Sequence, residues 1–280
     1  MGGGVRTASA ILHACLRSHT VKAMSTPRGP REWDAGAYHD LATPHQAWGA
    51  AILDRLPLDG DETVLDLGCG TGRVTAQLLE RLGPDARVIG VDGSARMVQD
   101  AARRLGGDPR ASFVQQDLLE LEIAPPADAA VSSATFHWIE DHDTLFARIR
   151  GALRPGARFV AQCGGRGNVA NVVRATREVS AREPYAELFA GWPGPWNYAG
   201  PEETAERLER AGFAVERCWL EPSPQRPEPL RDFLRTVSLG SHLERLPAEL
   251  HEPFVDAVAV AMEPDPVHDY VRLNIVAVAV

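Results

Sequence analysis

Short apolar runs alternate along the chain with stretches whose apolar residues recur every three or four positions. The runs predict buried β-strands, and the spaced positions predict amphipathic helices that cover them. Because the two patterns alternate from residue 63 onward, we expect a mainly parallel sheet with helices on both faces. Seven strands are predicted: Thr63–Leu67, Arg87–Val91, Ala111–Gln115, Ala127–Ser132, Arg158–Gln162, Phe213–Leu220 and Tyr270–Val280.

The helices between these strands each show one apolar face. Pro201, followed by two glutamates, is typical of a helix N-terminus, and Gly212 is typical of the position just past a helix end. The chain is therefore predicted to be an α/β protein with a doubly wound, mainly parallel seven-stranded sheet. Three earlier helices are indicated by Val74, Leu78, Leu79 and Leu82, by Met97, Val98, Ala101, Ala102 and Leu105, and by Leu145, Phe146, Ile149 and Leu153.

Two segments interrupt the alternation. One is Gly164–Gly200, and the other is a proline-rich connector, Pro222–Pro229, before a helical stretch near Leu230–Leu239. We expect both to cap the edge of the sheet at which the parallel strands end. The predicted organisation is a leader at 1–31, an α/β core that binds the cofactor at 32–163, an aromatic cap insertion at 164–200, and completion of the sheet with additional cap helices at 201–280.

The charge of the chain is unevenly distributed. The formal net charge is −9, yet residues 1–31 hold five basic residues and no acid, so residues 32–280 carry −14. An acid-free start superficially fits a transit peptide, but the linker that follows it favours a disordered leader, or an upstream start with Met24 as the natural first residue. The acidic body argues against a broad nucleic-acid-binding or membrane-binding face.

Four scattered cysteines, Cys15, Cys69, Cys163 and Cys218, argue against a disulfide framework or a zinc site and favour a reducing compartment. No apolar run approaches the roughly 18–20 residues of a membrane span. We therefore expect a cytoplasmic protein without a metal. The sequence does not decide between a monomer and a homodimer.

A glycine-rich turn follows the first predicted strand, in the stretch VLDLGCGTG at 64–72. Such a turn before a helix lets a ligand approach the backbone closely, and a Rossmann-type oxidoreductase is one interpretation. The spacing differs from that of the nicotinamide-binding motif, because Arg73 stands where its third glycine would fall. Asp66, Asp92 and Asp117 end or follow three successive strands, and S-adenosylmethionine (SAM) has the ammonium, ribose diol and adenine amine that such a set would bind.

VLDLGCGTG, then VIGVDGSARMV, then QQDLLEL resembles the ordered motifs of class I SAM-dependent methyltransferases, over roughly residues 33–280. The resemblance implies a Rossmann-like fold. It also implies that the glycines pass along the methionine part of SAM, that Asp66 lies near the amino group, that Asp92 holds the ribose, and that the adenine meets Met97 and Asp117. The implied cofactor residues are Asp66, Gly68, Cys69, Gly70, Gly72, Asp92, Gly93, Met97, Asp117 and Leu118.

The fourth strand runs into SSATFHWI at 132–139, which resembles the trans-aconitate methyltransferase-like branch of that family. The segment WDAGAYHDLATPHQAWG at 33–49 does so too, and in it Tyr38 and Trp48 are candidates to cover the cofactor and to contact the substrate. His137 and Trp138 are the candidate catalytic residues. His137 either positions the substrate, acts as a base, or packs beside the cofactor without titrating, and Trp48 fits an ordinary core position equally well.

The methyl acceptor is expected to be a small molecule. An aconitate-like acid needs a local basic pocket, for which Arg166, Arg174, Arg235 and Arg272 are candidates. Arginine supplies 28 of the 29 basic residues, so any one arginine is weak support for anion binding. Carboxylate O-methylation is the first hypothesis.

The aromatic cluster of the cap insertion has two interpretations: it contacts a flat or apolar acceptor, or it forms a small core that holds the cap on the sheet. The alternatives are therefore O-, N- or C-methylation of an aromatic or polyketide-like metabolite, and an oxidoreductase on a Rossmann-type sheet. The aromatic residues of the cluster are Phe189, Trp192, Trp196 and Tyr198, and both tryptophans are candidate substrate contacts.

Overall fold

A computed structural model describes residue 32 and residues 43–280 of the chain. The seven strands form one sheet in the order β3-β2-β1-β4-β5-β7-β6. The first five run parallel, whereas β7 is antiparallel to both β5 and β6. The predicted mainly parallel seven-stranded sheet is therefore confirmed. The strands are β1 (Thr63–Leu67), β2 (Arg87–Asp92), β3 (Ala111–Gln115), β4 (Ala127–Ser133), β5 (Leu153–Gly164), β6 (Phe213–Pro222) and β7 (Val271–Ala279).

Helices cover both faces of the sheet, as the hydrophobic pattern predicts. On one face, apolar residues of α1 and α2 pack against β1, β2 and β4. On the other face, α4 and α6 bury side chains such as Phe146 and Leu208 against the sheet. The helices of at least two turns are α1 (Thr43–Leu53), α2 (Arg73–Arg81), α3 (Ala95–Leu105), α4 (His142–Gly151), α5 (Ala170–Ser180), α6 (Pro201–Ala211) and, after the two short helices below, α9 (His251–Ala261).

The cap is a second apolar cluster, built from both segments that interrupt the α/β alternation. Within 164–200 the structure has α5, which the sequence analysis did not predict, followed by turns. The helical stretch expected near Leu230–Leu239 is irregular: α7 (Leu230–Phe233), a π-helical turn (Leu234–Ser238) and α8 (Gly240–Leu243). Val172 of α5, Phe189, Leu234 and Phe254 of α9 are buried together in this cluster.

Topology decides which residues meet at the edge where the parallel strands end. β1, β2, β3, β4 and β5 all finish at this edge, and the antiparallel β7 begins there. In the β5–β7 register, Gly164 at the end of β5 stands opposite Arg272 near the start of β7. Residues more than 100 positions apart are thereby brought to one site.

Candidate active site

The glycine-rich loop joins β1 to α2, and its glycines serve two different ends. Gly68 has a φ of +73°, and a Cβ on it would lie 2.1 Å from the Thr135 side-chain oxygen. Gly70 has a φ of +53°, and a Cβ there would meet nothing within 4 Å. Gly68 is therefore required by packing, whereas Gly70 leaves an open surface over the loop, as a cradle for a ligand requires.

Asp92, at the end of β2, ties this loop to the neighbouring strand. One carboxylate oxygen accepts a hydrogen bond from the backbone N–H of Gly70 at 2.9 Å, and the other accepts from the N–H of Ser94 at 2.9 Å. Burial raises the pKa of Asp92, although both hydrogen bonds oppose the rise. The carboxylate thus lies directly beside the open face of Gly70.

Asp66 lies in β1 immediately before the loop and is buried, with 1% of its surface exposed. The Thr75 hydroxyl of α2 donates a hydrogen bond to its carboxylate at 2.6 Å. Burial raises the pKa of Asp66 to about 7, and the nearby Asp92 carboxylate adds to the rise while the bond from Thr75 opposes it. Asp66 is therefore close to half ionised at neutral pH.

The residues implied for the adenine side lie around the ends of β2 and β3. Asp117 accepts a hydrogen bond from the N–H of Leu119 at 2.9 Å and caps the single 3₁₀ turn Leu118–Glu120. Leu118, which follows Asp117 in the chain, is buried, and so is Met97 in the first turn of α3. Gly93 links Asp92 to Ser94, which caps α3 through a bond from the N–H of Met97.

Glu32 also belongs to this region, and the sequence analysis did not identify it. Its carboxylate accepts hydrogen bonds from the Ser94 hydroxyl at 2.8 Å and from the N–H groups of Ala95 at 2.9 Å and Arg96 at 3.3 Å. Desolvation opposes ionisation, but these bonds outweigh it and lower the pKa of Glu32. An anion at a helix N-terminus is favourable. The Glu32 carboxylate lies at the N-terminus of α3, whose capping residue, Ser94, comes two residues after Asp92.

His137 and Trp138 lie in a 3₁₀ turn that follows β4. The backbone N–H of Gly164 donates a hydrogen bond to Nδ1 of His137 at 3.2 Å, so this nitrogen carries no proton. The His137 ring stacks on Tyr198, with ring centres 5.9 Å apart, and Trp138 lies 6.2 Å from Trp196. The structure therefore brings the two candidate catalytic residues into contact with the aromatic cap.

Arg272 lies at the same edge and is 2% exposed. Its guanidinium carbon is 4.2 Å from the centre of the Trp48 ring, and its Nε donates to the Gln162 side chain at 3.4 Å. Trp48 also donates through its indole N–H to Ser223 at 3.3 Å. Trp48 is thus a buried residue that holds Arg272, on the face of the sheet covered by α1.

The other candidate arginines lie on the surface. Arg166 is paired with Glu203, Arg174 with Glu178 and Arg235 with Glu252, and their side chains are 60%, 52% and 55% exposed. Arg272 is therefore the buried member of the four arginines proposed to bind an anion. Tyr38, the remaining candidate for the substrate, lies outside the described residues.

Within the cap lies a cavity of about 320 Å³. Its walls include Trp192 and Trp196, both proposed as substrate contacts, together with Phe189 and Tyr198. Trp196 and Tyr198 stack nearly parallel, with an interplanar angle of 13°. A flat molecule fits against walls of this kind.

The cysteines of the described part of the chain are buried or half-buried free thiols. Burial raises the pKa of Cys163 and of Cys218 to about 12, and raises that of Cys69, in the glycine loop, well above its usual range. They are therefore protonated at neutral pH and poor nucleophiles. Across residues 32 and 43–280, no group of three or more histidine, cysteine and acidic side chains is placed to hold a metal ion. No helix in the same residues is both long and apolar enough to cross a bilayer.

Comparison with known proteins decides between the two interpretations of the glycine loop. Residues 64–156 match a family described as "Methyltransferase domain". A trans-aconitate 2-methyltransferase of Methylobacterium radiotolerans is 30% identical over 240 residues, which cover 83% of this chain and 89% of that protein. The chain belongs to the class I SAM-dependent methyltransferases. The oxidoreductase alternative is therefore set aside.

A second relative of this methyltransferase is more similar over a shorter stretch. The trans-aconitate 2-methyltransferase of Azoarcus sp. is 36% identical over 164 residues, and the match spans 59% of this chain and 58% of that relative's length. Among solved structures, phosphoethanolamine N-methyltransferase 2 of Haemonchus contortus, in complex with S-adenosyl-L-methionine, is 22% identical with a TM-score of 0.56. That similarity covers 88% of this methyltransferase and 56% of the nematode chain, and it shows that the fold is shared.

Proposed function

We propose that this methyltransferase transfers the methyl group of SAM to a carboxylate oxygen of a small, aconitate-like acid. The observation that carries the proposal is Arg272, a buried guanidinium at the edge of the sheet, paired in register with the residue that binds His137. The activity in the names of the relatives from Methylobacterium and Azoarcus supports the same substrate class.

The residues present fit SAM. The open face of Gly70 leaves room for the methionine part, and Asp92 beside it has carboxylate oxygens for the ribose hydroxyls. Asp66 offers negative charge near the ammonium, while Met97 and Leu118 supply apolar surface for the adenine. When bound, SAM would supply an electrophilic methyl group: an ionised acceptor oxygen forms the new C–O bond with its own electron pair, and the electron pair of the broken S–C bond stays on the sulfur, which leaves as a neutral thioether.

His137 fits a positioning role in this reaction. Its Nδ1 accepts from the Gly164 N–H, which leaves Nε2 as the protonated nitrogen of the neutral ring. Nε2–H can donate a hydrogen bond to an acceptor oxygen. A carboxylate is already ionised at neutral pH, so its methylation needs no general base.

Arg272 supplies the positive charge that an acidic protein needs in order to bind an anion. A guanidinium presents parallel N–H groups that match the two oxygens of a carboxylate. Stacking on Trp48 and the bond to Gln162 hold it in a fixed orientation. Arg272 is thus a charged side chain in a fixed orientation, and it stands opposite Gly164, the residue that donates a hydrogen bond to His137.

The test is formation of a methyl ester from SAM and a panel that contains trans-aconitate, simpler carboxylic acids and uncharged aromatic acceptors, detected by mass spectrometry. We expect esters from the acids. Arg272→Gln should lower kcat/KM for acids by about 30-fold or more while the calorimetric affinity for SAM is unchanged. Arg166→Gln, which removes the same charge from an exposed ion pair, serves as the control.

A second candidate function is O-, N- or C-methylation of an aromatic or polyketide-like metabolite, which the aromatic cavity favours. The same panel separates the two. Methylation of uncharged aromatic acceptors without ester formation from any acid would contradict carboxylate methylation.

The expected location of the enzyme, the cytoplasm, belongs to the proposal as well, and fractionation of cells would test it.

A further inference from the structure

The cavity within the cap is joined to the segment that carries His137. The backbone N–H of Asn197 donates to the His137 carbonyl at 2.9 Å, and the Asn197 side chain donates to the carbonyls of Ile139 and Glu140 at 3.2 and 3.0 Å. Trp196 and Tyr198 flank Asn197 and form one wall of the cavity. These three hydrogen bonds therefore fix that wall against the candidate catalytic turn.

The lining of the cavity combines flat rings with one cation. Phe189, Trp192, Trp196 and Tyr198 provide aromatic surface, and Arg177 of α5 provides the charge. No acidic residue is among the described residues that line it. An anionic molecule with a planar carbon skeleton is the kind of ligand that such a lining accommodates.

Arg177 differs from the arginines on either side of it. Arg174 and Arg182 both pair with Glu178 and do not line the cavity. Within the described part of the chain, the guanidinium of Arg177 forms no ion pair and lies at an exposed position of the lining. A carboxylate held at Arg177 would therefore not have to displace an internal partner.

We propose that this cavity binds the part of the acceptor that is not methylated, and that it selects a planar, conjugated acid whose second carboxylate pairs with Arg177. The inference rests on the proposed function, in which the reacting carboxylate is held at Arg272. It assigns the two ends of one acceptor to two arginines: a buried one at the sheet edge and an exposed one on α5. The volume of about 320 Å³ exceeds what a six-carbon acid fills, so longer or aryl-substituted diacids should also be accepted.

The experiment compares Arg177→Gln with Arg182→Gln, a control that removes the same charge five residues along the chain. Three probes are used: trans-aconitate, its saturated tricarboxylate counterpart, and an unsaturated monocarboxylate. In Arg177→Gln we expect KM for trans-aconitate to rise about tenfold with kcat little changed, and KM for the monocarboxylate to stay as in the wild type. The control should match the wild type with every probe. The wild type should prefer the planar acid to its saturated counterpart.

Equal effects of the two substitutions, or equal effects on the polycarboxylate and the monocarboxylate, would overturn the inference while leaving carboxylate methylation intact. Absence of any ester would instead overturn the proposed function. Calorimetric binding of the acids without SAM still tests the subsite in that case. The subsite would be supported if Arg177→Gln weakens the binding of trans-aconitate and Arg182→Gln does not. Equal binding by both variants would refute the subsite.

Discussion

The backbone N–H of Gly164 donates a hydrogen bond to Nδ1 of His137 across 3.2 Å, and this bond determines which ring nitrogen carries the proton. The lone pair that a general base would use on Nδ1 is already engaged. In the neutral ring Nε2 is then the nitrogen that carries the proton and is able to donate. The contact joins the turn after β4 to the end of β5 and therefore also orients the ring.

Replacing His137 by Phe should lower kcat by about tenfold without changing the shape of the pH–rate profile between pH 6 and 9. The reason is that the substitution removes a positioning hydrogen bond and no proton transfer. Steady-state rates across that range test this expectation. A wild-type profile with an acidic limb that the variant lacks would assign proton abstraction to His137.

Replacing Asp92 by Ala should weaken SAM binding by about 2–3 kcal/mol, because the variant loses a charge-assisted acceptor for the ribose and the bond that holds Gly70. Titration calorimetry measures the change. Asp92→Asn keeps an oxygen for the Gly70 N–H and loses the charge, so its affinity for SAM should lie between those of the wild type and Asp92→Ala. Wild-type affinity in Asp92→Ala would contradict the placement of the ribose.

Two glycines of the loop should respond differently to the same change. Gly68→Ala places a methyl group against Thr135 at a left-handed φ, so we expect a loss of about 2 kcal/mol or more in the free energy of unfolding. Gly70→Ala also meets a left-handed φ but has open space, so its loss of stability should be smaller while SAM binding weakens. Urea unfolding and calorimetry separate the two effects. Equal destabilisation by both changes would contradict this division of roles.

Asp66 makes the stability of the cofactor-free protein depend on pH. Its pKa is about 7 in the folded protein and 3.8 ordinarily, so between these values the folded state holds a proton that the unfolded state releases. The free energy of unfolding should consequently fall as pH rises from about 4 to 7, with a limiting slope of about 1.4 kcal/mol per pH unit from this group.

Asp66→Asn should flatten this dependence, and Asp85→Asn, at an exposed position, should not. Urea unfolding at pH 5, 6 and 7 provides the measurement. If the wild type and Asp66→Asn showed the same slope, burial of Asp66 would not be the source of the pH dependence.

Local sequence patterns were sufficient for the sheet and for the cofactor motif. β1 and β3 have the predicted bounds, and the other strands contain or nearly match the predicted runs. In central strands such as β1, burial on both faces leaves a continuous apolar signature. The motif residues Gly68, Gly70 and Asp92 lie within 25 positions of one another, and the strand–turn–helix order alone brings them to one edge of the sheet.

Local sequence patterns did not predict the contacts between segments that are far apart in the chain. The burial of Arg272 depends on the antiparallel register of β7 with β5, which the sequence of the predicted strand Tyr270–Val280 does not specify. Glu32 caps α3 from 62 positions away, for which no local signal exists. The helix α9 was not predicted either, although Phe254, Val255 and Val258 are buried along it at helical spacing.

The place of β7 in the sheet has a consequence for the order in which the protein can assemble on the ribosome. β7 is synthesised after the other six strands, yet it lies between β5 and β6 and pairs with both. A nascent chain that ends before Val271 contains the glycine loop and Asp92, but it leaves β5 with an open edge and lacks Arg272. The residues proposed for the cofactor are therefore synthesised before the sheet can be completed, whereas Arg272, proposed for the acceptor, reaches its place only when β7 inserts.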